Sequence, residues 1–170
     1  MRASFSLDLF TDLVWDKVND NREFLRCFLI ATMGDQEKAY NYSLALSELL
    51  ENVCKYSPVQ RASVSLKGQL EQSYVFMQVA SVAERQQATH LQGMVTMVNE
   101  GQPNEAYLRM VQRSLENQEG SQLGLAMIRN NCNADINAVV LPVVPPGFLD
   151  DIKLDTRDLV LLQISLEMTA

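Results

Sequence analysis

The sequence predicts an α/β (α+β) two-layer sandwich, in which helices cover one face of a mixed, mainly antiparallel β-sheet. Apolar residues repeat at helical spacing in some segments and alternate at every second position in others, which are the periods of amphipathic helices and half-buried strands. These segments follow the order strand, helices, two strands, helices, two strands. Helices in that order need a sheet face to cover. A chain of 170 residues fits one domain, residues 1–170, with one core.

The first elements are a strand and a helix. Residues 4–9 alternate between polar and apolar side chains, which predicts a half-buried strand. Residues 15–33 have helical spacing, and we expect an interruption near residues 19–21. Gly34 then fits a helix C-cap and Asp35 fits the N-cap of a second helix.

The second helix is predicted to run over residues 36–56. Its apolar residues recur at helical spacing, so they define the face that we expect to be buried. They are Ala39, Tyr42, Leu46, Leu49, Leu50 and Val53. Pro58 disfavours the α conformation of Ser57, so the helix should end there.

A hairpin and two helices are predicted next. Residues 62–70 alternate, whereas residues 74–82 are more apolar and indicate a central strand. Residues 83–99 and 104–117 repeat apolar side chains at helical spacing. Gly101, Gln102 and Pro103 separate these two helices.

The last third of the chain predicts a loop, a helix and two strands. The loop covers residues 119–121 and the short helix covers residues 123–131. Residues 134–144 form an apolar strand that should stop at the Pro-Pro-Gly sequence of residues 145–147. Residues 159–168 complete the sheet.

Charge and composition exclude several classes of function. The formal net charge is -7, and no cluster of Lys and Arg residues is visible. Because nucleic acids and anionic membranes select basic surfaces, we expect neither as a partner. The longest apolar stretches are too short to span a bilayer, and the N-terminus lacks a secretory apolar core. We therefore expect a cytoplasmic protein.

Metal ligands and nucleophile motifs are scarce. Cys27, Cys54 and Cys132 are widely separated, and His90 is the one histidine of the sequence. This set lacks the ligand spacing of a zinc site, and we expect neither zinc nor haem. A Ser-His-Asp or Cys-His site would have to use His90, which no nucleophile motif flanks.

The most specific motif lies at residues 44–58, with the sequence LALSELLENVCKYSP. Glu48, Asn52 and Lys55 fall on one helix face because residues three and four apart are neighbours. The segment resembles the N box of the GHKL (histidine-kinase-like) ATPase superfamily. The resemblance implies that Asn52 binds the Mg²⁺ of a bound ATP, for which an amide oxygen is a suitable ligand. It makes Glu48 a candidate general base and places Lys55 near the phosphates.

A second segment, residues 120–128, resembles the G2 box of the same superfamily, in which glycines precede a helix. Glycine lets a backbone approach phosphates, and the helix N-terminus supplies N–H donors. The resemblance makes Gly120 and Gly124 candidates for contact with the nucleotide. Gln122 stands where the middle glycine is expected, and its bulk would cover the phosphate position.

The adenine-binding G1 box is the element that departs from the pattern. The central strand continues into Ser81, Val82, Ala83 and Glu84 without an aspartate or glycine. Ser81 takes roughly the place of the aspartate that accepts a hydrogen bond from adenine. A hydroxyl is a weaker acceptor than a carboxylate. The combination resembles a divergent subgroup of stand-alone, anti-sigma-factor-like proteins in which Asn or Ser replaces that aspartate.

Two functions remain open at this point. The first is a regulatory protein of the anti-sigma-factor, partner-switching type, which binds a protein while ATP binding is weak or lost. Its partner would be a sigma factor, a STAS-type antagonist or a response-regulator component, and such proteins are commonly homodimers. The second is an active serine/threonine protein kinase that uses ATP and Mg²⁺. A complete sensor kinase is disfavoured because His90 lacks the context of a phosphorylated histidine.

Overall fold

The computed structural model describes residues 4–69, 74–117, 123–150 and 155–169. Its centre is a five-stranded sheet with the spatial order β1-β2-β3-β5-β4, in which each neighbouring pair is antiparallel. The strands are β1 (Ser4–Asp12), β2 (Arg61–Gln69), β3 (Tyr74–Glu84), β4 (Ala134–Leu141) and β5 (Leu159–Thr169). The most apolar predicted strand, β3, is the central one, as its sequence indicated.

Six helices connect or flank these strands in the described part of the chain. They are α1 (Trp15–Met33), α2 (Gln36–Tyr56), α3 (Arg85–Asn99), α4 (Pro103–Asn117), α5 (Leu123–Cys132) and α6 (Pro146–Leu149). The main core lies between the sheet and the first five helices, and it includes the four predicted α2 side chains Leu46, Leu49, Leu50 and Val53. The predicted α/β sandwich is therefore confirmed.

The other face of the sheet carries a smaller apolar cluster. Phe148 of α6 packs there with Ala80, Val82, Leu159 and Leu161. Helix α6 was missed in the sequence because Pro-Pro-Gly was interpreted as an end to regular structure. Proline is well tolerated in the first turn of a helix, where its missing N–H has no intrahelical partner. Here Pro146 is the first residue of α6.

The junction between α1 and α2 follows its predicted chemistry. Gly34 has φ 71°, a left-handed conformation that glycine adopts without strain, and its N–H donates to the Ile30 carbonyl. Asp35 caps α2 by accepting a hydrogen bond of 3.0 Å from the Lys38 N–H. The interruption expected near residues 19–21 is wrong, because α1 is continuous and Asn21 Nδ2 donates to the Lys17 carbonyl at 2.7 Å.

Several strand boundaries also differ from the prediction; β1, for example, runs to Asp12 rather than to residue 9. Ala83 and Glu84 were expected to begin a helix, but they extend β3 by pairing with Val160 and Leu159 of β5. Sheet pairing thus outweighs local helical spacing at this point. Strand β4 ends at Leu141, where its pairing with β5 ends, rather than at residue 144.

No helix within the described residues is both long and apolar enough to cross a membrane.

Candidate functional site

A cavity of about 570 Å³ lies between α2, α3 and the sheet, at the end where β3 passes directly into α3. Ligand pockets in proteins commonly occupy about 300–1,000 Å³. Helix α2 forms one wall with Leu49, Asn52 and Val53, while its end contributes Tyr56 and Ser57. This arrangement follows from the α2 sequence, because its aliphatic face packs on the sheet and leaves the polar side chain of Asn52 at the edge.

The floor and the second wall come from the sheet and from α3. Val79, Ser81 and Ala83 line the floor because alternate side chains of a strand point to the same face. Leu91 and Met94 of α3 form the opposite wall. Since Glu84 is directly followed by the first residue of α3, the first turns of α3 lie over the end of β3. Arg85 N–H donates to the Asp158 carbonyl at 3.0 Å, which holds this corner against the start of β5.

The three predicted residues of α2 lie in different surroundings. Asn52 lines the cavity. Lys55 is not among its lining residues: its ammonium group lies 3.4 Å from Glu51 Oε2 and 5.7 Å from the centre of the Trp15 ring. Its charge is therefore directed to the surface around α1. The predicted position of Lys55 near the phosphates of a nucleotide stays a prediction.

Glu48 lies one turn before Asn52 and packs against the second residue of α5. A Cβ atom at position 124 would collide with the Glu48 side chain, so Glu48 occupies the space that Gly124 leaves between α2 and α5. Burial raises the pKa of Glu48, and the neighbouring Glu51 carboxylate raises it further, while Lys55 lowers it. Gly124 thus makes room for the Glu48 side chain. Its predicted contact with a nucleotide stays a prediction.

Ser81 is buried on the floor of the cavity, with 7% of its surface exposed. No carboxylate accompanies it among the described lining residues, and Glu84 is exposed at the end of β3. Gly120 and Gln122, the other residues of the G2-like segment, lie outside the residues that the structure describes.

Three polar residues at the start of α3 were missed as site residues in the sequence. Gln86, Gln87 and His90 are exposed and line the cavity, so they mark its mouth. Gln87 and His90 follow Gln86 by one and four residues, so the three lie close together on the helix surface. That spacing alone does not show which part of the protein this helix surface faces. Only the short passage from β3 into α3 brings them next to Asn52 and Tyr56.

A buried arginine fixes the far end of α3. Arg129 of α5 is 7% exposed and donates to the carbonyls of Val98 and Gly101 at 2.6 and 2.7 Å. Carbonyls at a helix C-terminus lack intrahelical donors and carry partial negative charge, so a cation is well placed there. This contact ties the C-terminal end of α3 to α5.

Comparisons with known proteins support the fold. A chain in the crystal structure of the SiaB–SiaC complex from Pseudomonas aeruginosa is similar in structure, with a TM-score of 0.73 and 15% sequence identity. The similarity covers 95% of this chain and 89% of that chain. No protein-family model matches this sequence. No curated protein matches it either. The shared architecture is therefore clear, and membership of the GHKL superfamily stays a prediction.

The described lining fits a bound ATP poorly. Asn52 supplies one oxygen suited to Mg²⁺, but none of the described residues around the cavity carries a carboxylate, an ammonium or a guanidinium group. Such a wall offers neither a strong acceptor for the adenine amino group nor a cation for the phosphates.

Proposed function

We propose that this chain is a regulatory protein of the partner-switching, anti-sigma-factor type, which acts by binding another protein and has weak or lost affinity for ATP. The observation that carries the proposal is that the described residues lining this cavity, where the resemblance puts the nucleotide, carry no permanent charge. A similarly folded chain occurs in a complex of two proteins, which is consistent with a role in protein binding. The candidate partners are a sigma factor, a STAS-type antagonist and a response-regulator component.

The loss of the adenine contact has an expected size. A hydrogen bond between an amino group and a carboxylate contributes about 1.5–3 kcal/mol. Replacing that carboxylate with Ser81 therefore lowers affinity by roughly ten- to a hundredfold. Partner binding through the surface does not require the cavity to hold ATP, so regulation survives this loss.

Partner binding without nucleotide tests the proposal. Purified wild-type chain and Asn52→Ala are each mixed with purified candidates of the three partner classes, in the absence of ATP, and complexes are measured by size-exclusion chromatography with light scattering. We expect one class to form a complex of equal affinity with both proteins. A complex that forms only when ATP and Mg²⁺ are added, and only with Asn52 present, would contradict the proposal.

One specific observation favours the second candidate, an ATP-dependent serine/threonine protein kinase. Asn52 lines the cavity, and the Glu48 carboxyl group lies one turn away beside the first turn of α5. The resemblance assigns these two residues the roles of a metal-binding amide and a general base. Transfer of radioactive phosphate from ATP to a bound partner, lost in both Asn52→Ala and Glu48→Gln, would establish the kinase instead.

The homodimeric state is part of the same proposal. A single chain has a mass of 19.2 kDa, so light scattering on the purified protein should give about twice that value. A mass of one chain that persists at high protein concentration would contradict it.

A further inference from the structure

The cavity has the chemistry of a site for an uncharged ligand. Most of its described lining residues are aliphatic or methionine, among them Leu49, Val53, Leu91, Met94 and Ile164. The other described lining residues are polar without a permanent charge, among them Asn52, Tyr56, Ser81 and His90. An apolar wall with a few hydrogen-bonding groups is typical of small-molecule sites.

The polar groups are unevenly placed around the cavity. Gln86, Gln87 and His90 are exposed at the mouth, and Tyr56 at the end of α2 is 47% exposed. Deeper in, the buried Ser81 is accompanied by aliphatic side chains of β3 and β5. A ligand with one polar group can therefore form hydrogen bonds with the residues at the mouth while its apolar part packs against the aliphatic side chains inside the cavity.

A triphosphate would be a poor occupant of the same space. Transfer of an ionised group from water into apolar surroundings is costly unless a partner of opposite charge or several hydrogen bonds compensate for it. The described lining supplies no such cation, and the whole chain has a net charge of -7, which repels anions further. The charges of the described lining and of the whole chain therefore favour a neutral ligand over a nucleotide.

We propose that this cavity binds a neutral, mainly apolar small molecule, whose single polar group lies near Asn52 and His90 at the mouth. The inference goes beyond the proposed regulatory function, with which it shares the uncharged described lining of the cavity. Binding would occupy the space between α2 and α3, and it would stabilise the folded chain.

The test uses N-phenyl-1-naphthylamine, an uncharged apolar fluorophore whose emission rises in apolar surroundings. It is titrated into wild-type chain, into Leu91→Glu and into Leu108→Glu. Leu91 lines the cavity and is partly buried, whereas Leu108 on α4 is 64% exposed and is not a lining residue. The two variants carry the same chemical change, so only one of them places a carboxylate in the cavity.

We expect saturable binding to wild type at micromolar concentrations. Leu91→Glu should weaken it at least about tenfold, because burying the ligand against a carboxylate is unfavourable, and Leu108→Glu should leave it unchanged. ATP with Mg²⁺ should not displace the fluorophore. Absence of saturable binding to wild type, equal binding by Leu91→Glu, or displacement by micromolar ATP would each overturn the inference.

Leu91→Trp keeps the test decisive if Leu91→Glu fails to fold. It introduces no charge, and its larger side chain occupies part of the cavity, so fluorophore binding should fall while circular dichroism stays that of wild type. Unchanged binding by a folded Leu91→Trp would contradict the inference. The partner assay in the absence of ATP is a separate measurement, so failure of one proposal is distinguishable from failure of the other.

Discussion

The Glu48 carboxyl group is partly buried between α2 and α5, and this burial makes its ionised form unfavourable. Its pKa is raised, so the folded chain binds the proton more tightly than the unfolded chain does. The corresponding stability is present at low pH and is lost as pH rises through the raised pKa. We therefore expect Glu48→Gln to raise the melting temperature at pH 7, and to have little effect near pH 4, where wild type is also largely protonated.

Glu37→Gln is the matched control for that prediction. Glu37 is exposed in the first turn of the same helix, so its neutralisation removes a charge without relieving burial. It should not raise the melting temperature at pH 7. If Glu48→Gln lowered the melting temperature at pH 7, the ionised carboxylate would be making a favourable contact, for example with the N-terminus of α5.

The three cysteines should differ sharply in reactivity. Cys27 is exposed, whereas Cys54 and Cys132 are buried. Burial raises the pKa of the Cys132 thiol to about 12 and also raises that of Cys54, which leaves little reactive thiolate. Titration of the native chain with an aromatic disulfide reagent should modify one thiol quickly, and the denatured chain should yield three. Rapid modification of native Cys27→Ser would show that a buried thiol is accessible.

Individual site residues were predictable only where a motif marks them. Asn52 and Ser81 were predicted from the N-box-like helix and from the end of the central strand, and both line the cavity. His90 and the two glutamines before it carry no such mark. They reach the site because α3 begins directly after β3, a tertiary arrangement that local periodicity does not contain.

At the level of elements, α2 contributes to both the core and the site. Leu50 has no exposed surface and packs in the main core. Leu50→Ala should lower the free energy of unfolding by about 2–5 kcal/mol, through lost burial and the cavity that remains. Urea denaturation measures this change. Leu108→Ala is the control: because Leu108 is 64% exposed, its truncation should lower the free energy of unfolding much less. A decrease below about 0.5 kcal/mol for Leu50→Ala would contradict the packing of Leu50 in the core.

Elements were predictable where local chemistry and tertiary pairing agree. Helix α2 has an Asp35 N-cap, an apolar face and Pro58 after its end, and its observed bounds equal the predicted ones. The boundary between β3 and α3 was predicted wrongly. The helical spacing of residues 83–99 carries no information about β5, whose pairing extends β3 to Glu84. Helix α6 was not predicted because Phe148 packs against an apolar patch on the other face of the sheet, a tertiary contact that the local sequence does not show.

At the level of the whole molecule, the order of the elements was sufficient to predict the sandwich. A chain with 15% identity has a similar architecture, so most of the particular side chains can differ without a change of fold. A shared architecture does not by itself define a function, and the described residues that line the cavity carry no permanent charge.

Isothermal titration of ATP with Mg²⁺ into the purified chain tests this account most directly, with Asn52→Ala as the comparison. The uncharged lining and the serine in place of the adenine-binding carboxylate predict no saturable binding at micromolar ATP, and identical traces for the two proteins. Micromolar binding to wild type that Asn52→Ala abolishes would contradict the account, because the chain would then hold ATP through the residue that the N-box resemblance assigns to its Mg²⁺.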